Sequence, residues 1–184
     1  MRSAWGEDYE RNLEKLETAV SETEGEILTY DGDPIQAAYH TASSGKTRNA
    51  EEVPGQEEYI YLQSVESEED IQKDGFLYIG YMEKEEFAAA LQQLFPGETV
   101  DAGQLPQIVE RDSAGYVTQV QYGATIANGE AGKDLVLGLN SACFYFSELE
   151  ASIRIVTKGI GHGLGFSQYG SRQKAGKRMG LWRN

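Results

Sequence analysis

A single cysteine, Cys143, occurs in 184 residues, so no internal disulfide forms and no thiolate pair is available for zinc. It lies in the apolar run Ser-Ala-Cys-Phe-Tyr-Phe and is expected in the core. Histidine is nearly as scarce: His40 and His162 are far apart, and neither a Cys-x-x-Cys nor a His-Glu-x-x-His spacing exists. No metal set and no cofactor is expected from these residues, and only a hard, oxygen-ligated cation is left open. Positive charge is also short, with 16 Lys and Arg against 30 Asp and Glu and a net charge of −14, which argues against a nucleic-acid partner. The basic residues Arg172, Lys174, Lys177, Arg178 and Arg183 gather near the end and read as the solvated end of a helix. No apolar run approaches membrane-spanning length, and the first residues carry neither a signal peptide nor a lipidation motif. The opening Met-Arg-Ser-Ala-Trp-Gly leads almost directly into a helix, which is compatible with a piece of a longer frame.

The length suits one domain over residues 1–184 that folds without staples. Tyr9, Leu13, Leu16 and Val20 recur at helical spacing within residues 7–23, and Gly25 supplies the stop. Residues 27–30 and 35–40 read as strands joined through Asp31-Gly32-Asp33-Pro34, which places His40 at a strand end. Residues 41–53 form a polar loop and residues 59–65 a short extended piece. A second helix over 82–95 has Phe87, Leu91, Leu94 and Phe95 inside, with Glu83 to Glu86 at its N-terminal turn, and Pro96-Gly97 ends it. Residues 108–112 and 117–122 flank Ser113-Ala114-Gly115 as a hairpin, and strand-like material returns at 142–146 and 152–156. The fold class that results is α+β, a single body of antiparallel strands with two or three helices.

Chemistry concentrates between Gly159 and Gly170, where His162 stands among Gly159, Gly161, Gly163 and Gly165. Glycine lets a ligand or a neighbouring backbone approach closely, so the segment reads as a site, or as a strand pressed against another with His162 hydrogen-bonded inside. Ser43-Ser44-Gly45-Lys46-Thr47 tempts toward a phosphate loop, but the frame puts His40 where the first glycine must stand. The loop is better read as short donors, Ser43, Ser44 and Thr47, beside Lys46, or as an ordinary polar turn. Glu85 and Glu86 fit the helix dipole better than glycosidic chemistry. Ser167 lacks the Gly-x-Ser-x-Gly elbow of a nucleophile and reads as a hydrogen-bonding group or helix cap.

Three segments in the right order resemble the stage II sporulation protein D family and its amidase-enhancer relatives. The first runs from Trp5-Gly6 and Tyr9 through Ile27-Leu28-Thr29-Tyr30, Gly32 and Pro34-Ile35 into Tyr39-His40 and Ser43-x-Gly45-Lys46-Thr47. The second is Leu137-Gly138-Leu139 with Ser141 and Phe144, and the third is Gly159-x-Gly161-His162-Gly163-x-Gly165-x-Ser167-Gln168-Tyr169-Gly170. The resemblance implies a lytic transglycosylase acting on septal peptidoglycan during engulfment, outside the cytoplasm at the sporulation septum. It implies glycan strands as partner, together with other sporulation cell-wall hydrolases. It also implies a substrate-binding wall of His40, Ser43, Gly45, Lys46, Thr47, His162, Gly163, Ser167, Gln168 and Tyr169.

Such an enzyme must protonate a glycosidic oxygen while a sugar hydroxyl closes on the anomeric carbon, so one carboxylic acid in an apolar pocket is the minimum machinery. The family's general acid is a glutamate on a helix that precedes the segment matched by Trp5, and neither Glu86 nor another residue here stands in its place. The expectation is a chain that binds peptidoglycan and cleaves it poorly or not at all alone. One alternative is a non-enzymatic module that stimulates another wall hydrolase. Another is a hydrolase with His162 as base beside an acid such as Glu51 or Glu52.

Overall fold

The four-three-four recurrence of apolar residues near the start produces a helix. In the computed structural model, which describes residues 2–133 and 138–176, α1 (Arg2–Trp5) and a 3-10 turn (Gly6–Asp8) lead into α2 (Tyr9–Glu22). None of the residues of α2 is buried, and Val20 is 61% exposed. Periodicity thus sets its conformation while leaving Leu16 and Val20 of its apolar stripe exposed. The antiparallel hairpin β1 (Thr29–Tyr30) and β2 (Asp33–Pro34) turns on Asp31 and Gly32, both at positive φ, 52° and 93°. That combination is the two-residue turn whose twist matches the strands it joins. The second strand is shorter than the sequence suggests and shifted, ending at Pro34. Tyr39–His40 pairs elsewhere. Residues 1–36 form one compact unit and residues 37–184 another.

The second unit opens with β3 (Tyr39–His40), followed by 3-10 turns at Ala50–Glu52 and Glu68–Gln72. Then come β4 (Leu77–Glu83), α3 (Lys84–Leu94), β5 (Gln107–Arg111), β6 (Val117–Tyr122), β7 (Thr125–Asn128) and α4 (Gly129–Ala131). The chain closes with β8 (Phe144–Glu148), β9 (Ser152–Lys158), β10 (Phe166–Ser167) and α5 (Gln168–Gly176). The unit holds two antiparallel sheets, ordered β4-β9-β8 and β5-β6-β7, and a separate small parallel pair of β3 and β10. The α+β class with antiparallel strands is therefore observed.

Phe87, Leu91 and Phe95 from α3 and the residue after it cluster with Val117, Val120 and Tyr122 of β6 and with Phe144, Ile153 and Ile155 of the other sheet. Each such side chain contributes about 1.5–3 kcal/mol on leaving water. Cys143 is buried beside Tyr116 and Ala142. The helix expected from residue 82 begins at Lys84, because Met82 and Glu83 still pair with Ile153 and Ser152 across the sheet. Within residues 59–65 only Ile60 and Tyr61 form a turn, and residues 62–65 run without regular strand pairing beside residues 47–50, Thr47 N–H donating to Val65 O (2.9 Å) and Ala50 N–H to Leu62 O (3.0 Å). Leu137 and the basic residues Lys177, Arg178 and Arg183 lie outside the described residues. Among the described residues, no helix is long and apolar enough to cross a membrane.

Candidate functional site

The alternating glycines are required by backbone contact. Residues 159–165 run against residues 38–48, with Ala42 and Ile160 exchanging backbone hydrogen bonds (3.1 and 2.8 Å) and Arg48 N–H donating to Gly163 O (2.8 Å). A Cβ on Gly161 would fall 2.9 Å from His40 Cβ, and one on Gly165 would fall 2.3 Å from the Ala38 carbonyl oxygen. Both glycines also hold positive φ, 109° and 71°, which side-chain-bearing residues rarely adopt. The polar loop and the glycine signature, far apart in sequence, are therefore one backbone assembly.

A residue that the sequence reading did not single out locks this assembly. Asp70, fully buried in the turn Glu68–Gln72, accepts from Ser43 N–H (2.7 Å) and Ser43 Oγ (2.6 Å) through Oδ2, and from Ser167 Oγ (2.6 Å) through Oδ1. Hydrogen bonds to an ionised acceptor stabilise by about 1.5–3 kcal/mol each. Ser167 Oγ in turn accepts from Gly170 N–H (3.1 Å) and caps α5, as its position before the helix predicts. Two serines in separate motifs, each needing an acceptor, were the only signal of such a clamp.

His40 and His162 meet, their ring centroids 5.8 Å apart in an edge-on arrangement. The Leu164 peptide serves both rings. Its carbonyl accepts from His40 Nδ1–H (3.0 Å), and its N–H donates to His162 Nδ1 (3.1 Å). A carbonyl only accepts and an N–H only donates, so neutral His40 carries its proton on Nδ1 and neutral His162 on Nε2. His40 Nε2 then presents a lone pair, buried and without a partner among the described residues. Burial pushes both imidazoles below the usual histidine range. For His40 the Leu164 carbonyl opposes this, His162 reinforces it and Asp70 opposes it. For His162 the Tyr39 carbonyl and Glu130 oppose it, while Arg48 and Lys133 reinforce it. The pair is a neutral, inward-facing part of the junction, tied to the backbone of Leu164 through both Nδ1 atoms.

Arg48, also absent from the sequence reading, is buried beneath His162. Its Nε donates to Asp112 Oδ2 (2.5 Å), and its Nη1 donates to Glu130 and to the His162 carbonyl (3.1 Å). The guanidinium lies 4.6 Å from the centre of the Tyr116 ring. Tyr116 is fully buried, accepts from Ser44 N–H (3.0 Å), and has its hydroxyl pKa pushed up chiefly by burial. A Cβ on Gly163 would strike that hydroxyl.

The remaining expected site residues fall into two groups. Ser43, Thr47 and Ser167 are buried, with Thr47 Oγ1 accepting from Val65 N–H (2.9 Å), and Gly45 N–H donates to Ser43 Oγ (3.2 Å). Lys46 reaches Glu66 at 3.7 Å near the surface, Gln168 is exposed, and the Tyr169 hydroxyl donates to Gln72 O (3.3 Å). The β3–β10 register pairs Tyr39 with Phe166 and His40 with Ser167. Alternation sends the second pair inward and leaves Tyr39 62% and Phe166 50% exposed, side by side.

This arrangement has relatives. The chain is 35% identical over 188 residues to stage II sporulation protein D of Bacillus amyloliquefaciens, covering 95% of this chain and 49% of that protein. It is 34% identical over 190 residues to stage II sporulation protein D of Bacillus subtilis (strain 168), covering 97% and 51%. The chain belongs to the stage II sporulation protein D family. No family model matches it. It spans about half the length of the curated relatives it matches. In this chain the carboxylate that bears on His162 is Glu130, held by Arg48 and by Lys133 (3.8 Å). Glu51 and Glu52 instead line a cleft with Glu110 and Asp112, which does not include His162.

Proposed function

We propose that this chain is the peptidoglycan-binding part of a sporulation cell-wall protein, a lytic transglycosylase that degrades septal peptidoglycan outside the cytoplasm during engulfment. The observation that carries the reading is the junction of the two motif segments, whose outward face sets the exposed aromatic residues Tyr39 and Phe166 side by side next to exposed Gln168. Sugars present apolar faces and a fringe of hydroxyls, so exposed rings for stacking and an exposed amide such as that of Gln168 are the groups that hold them. Its name ties the family to sporulation.

Glycosidic cleavage further needs a protonated carboxylic acid against the scissile oxygen. Among the described residues near His162, Glu130 is bound to Arg48, so this chain grips the strand and a group elsewhere supplies the proton. Incubation with purified sacculi tests both halves. The chain co-sediments with sacculi and releases no anhydro-muropeptides. Failure to sediment would end the glycan reading, and release of anhydro ends would place a working acid within this chain. Tyr39→Ala with Phe166→Ala lowers binding to sacculi about tenfold or more, since stacking of a ring is worth about 0.5–1.5 kcal/mol apiece, and leaves the unfolding midpoint unchanged.

A further inference from the structure

One sheet edge stands open. β4 ends the order β4-β9-β8, and among the described residues no strand pairs with its other side. Leu77, Tyr78, Ile79 and Tyr81 are all exposed, Tyr81 by 66%. Proteins blunt such edges with a charge, a bulge or a short strand, because a bare edge templates further pairing. The other edges of the two larger sheets are blunted in these ways. At β8, Arg111 donates to the Phe144 carbonyl (2.8 Å), its guanidinium 4.1 Å from the centre of the Tyr145 ring. β5 shifts register on both sides of Glu110, and β7 has four residues. β4 runs for seven residues in unbroken register, without proline, and its one charge is the last residue, Glu83.

The backbone shows which groups face the open side. Gly159 N–H donates to Phe76 O (2.8 Å) and Lys158 N–H to Cys143 O (2.9 Å). Bonded and non-bonded pairs alternate along an antiparallel ladder. Tyr78, Gly80 and Met82 therefore turn their polar groups to β9, and Leu77, Ile79, Tyr81 and Glu83 turn theirs outward. We propose that this edge pairs antiparallel with β4 of a second copy of the chain, about a two-fold axis at Gly80. Ile79 then faces Tyr81 and Leu77 faces Glu83, all outward residues, so each pair exchanges both backbone hydrogen bonds. A slip by one residue would set outward groups against inward ones. On the other face Tyr78 meets Met82, and both that pair and the Ile79–Tyr81 pair are favourable cross-strand contacts. Charge selects this occupant and register. Leu77 is paired with Lys158 across the ladder, so Glu83 of the other copy and Lys158 flank one leucine on the same face, at both ends of the joined strands. Neither has an ion-pair partner among the described residues; Lys158 lies 5.3 Å from the centre of the Tyr145 ring. A slip by two residues takes Glu83 away from Leu77 and shortens the paired stretch. The two-fold consumes both open edges and closes the assembly at two chains, whether or not the chain binds glycan.

Sedimentation equilibrium of the whole chain tests this. Each copy carries a net charge of −14, so the run is made at about 0.15 M salt, where repulsion is screened beyond about 8 Å. With rising concentration the mass climbs from one chain toward two. Tyr81→Pro removes an outward N–H and spares the β9 ladder. It weakens association about tenfold, the loss of one hydrogen bond from each of two symmetric pairs. Ile79→Lys does the same or more, and neither variant changes the unfolding midpoint measured where the natural chain is single. Gly80→Cys tests the axis. Two copies of residue 80 meet there as a non-bonded pair with Cα atoms about 4.5 Å apart, within disulfide reach. The new Cβ meets only the outer end of the exposed Tyr78 ring. Mild oxidation yields a covalent dimer, whereas Ile126→Cys, exposed on β7, yields none. A single-chain mass up to about 1 mM overturns the pairing and leaves the edge to a strand of another protein. A dimer that persists in either folded variant also overturns it, since another surface then joins the copies. Dimerisation of Gly80→Cys without cross-linking, or equal cross-linking of Ile126→Cys, overturns the axis at Gly80.

Discussion

Replacing Asp70 by alanine should separate the two motif segments, and the structure sets the size of the effect. The carboxylate receives three hydrogen bonds, from Ser43 N–H, Ser43 Oγ and Ser167 Oγ, all in buried surroundings. Two of these donors are hydroxyls that can rotate toward other acceptors, while the Ser43 N–H is fixed by the backbone and would be left unsatisfied. With each bond to a charged acceptor contributing about 1.5–3 kcal/mol and the hydroxyls recovering part of theirs, the loss comes to about 3–5 kcal/mol. At a urea dependence of about 2 kcal/mol per molar, the midpoint of the second unit falls by about 2 M. Asp70→Asn keeps the volume but turns an amide donor toward donors, and should lose roughly half as much. Urea unfolding followed by circular dichroism gives the midpoint. Hydrogen exchange at Ser43 and Gly170 shows whether the two segments open together. A midpoint for Asp70→Ala within about 0.5 M of the natural chain, with both amides still protected, would refute the clamp.

Gly165→Ala should cost at least about 2 kcal/mol more than Gly55→Ala in the same unfolding assay. Both glycines have positive φ, but only the Cβ at 165 meets a backbone carbonyl, while nothing lies within 4 Å at 55; equal losses would show that the close approach to Ala38 is unimportant. Arg48→Met leaves buried Asp112 without its cation and should lose about 3–5 kcal/mol. Arg48→Lys should recover little of this, because a point charge does not serve Asp112, Glu130 and the His162 carbonyl together; full recovery by lysine would reject that geometry. Both histidines have folded-state pKa values below the ordinary one. Below about pH 6.5 the unfolded chain therefore takes up protons that the folded chain refuses, so stability falls on acidification and is flat with respect to these groups above that point. His40→Asn, which keeps a donor toward the Leu164 carbonyl, should show a shallower loss of unfolding free energy between pH 7.5 and 5.5, and an identical slope would remove His40 from the account.

What the sequence disclosed was local. The spacing of Phe87, Leu91 and Phe95 specifies a helix with one inner face, and the Ser113-Ala114-Gly115 punctuation specifies a hairpin, because both signals are complete within a dozen residues. The alternation of glycine around His162 announced a close approach, though not whether a ligand or another strand arrives; the structure supplies residues 38–48 as the neighbour. Asp70 and Arg48 stayed hidden for a physical reason. Asp70 meets Ser167 from 97 positions away and Arg48 meets Asp112 from 64, and a long-range polar pair leaves no periodicity in either segment. An acidic residue in the run Glu68-Glu69-Asp70 and an arginine in a polar loop look like ordinary surface residues until burial singles them out. The α2 stripe shows the reverse case, a clear period on residues none of which is buried.

The polar residues of the two motifs do two different jobs, and the parallel pairing of β3 with β10 divides them. Inward from that pair, Ser43 and Ser167 bind Asp70, His40 binds the Leu164 carbonyl and Thr47 receives Val65. Outward lie the exposed side chains of Tyr39, Phe166 and Gln168. A hydroxyl with its donor committed to a buried carboxylate is not free to bind sugar unless that bond breaks. Substitutions on the inner side should therefore lower stability and sacculus binding together, whereas those on the outer side should lower binding at constant stability. Plotting the two losses against each other for Ser43→Ala, Ser167→Ala, Tyr39→Ala and Phe166→Ala separates the classes. If Ser43→Ala and Ser167→Ala reduced binding with no change in unfolding, those hydroxyls would be ligand contacts, and the division by strand face would fail.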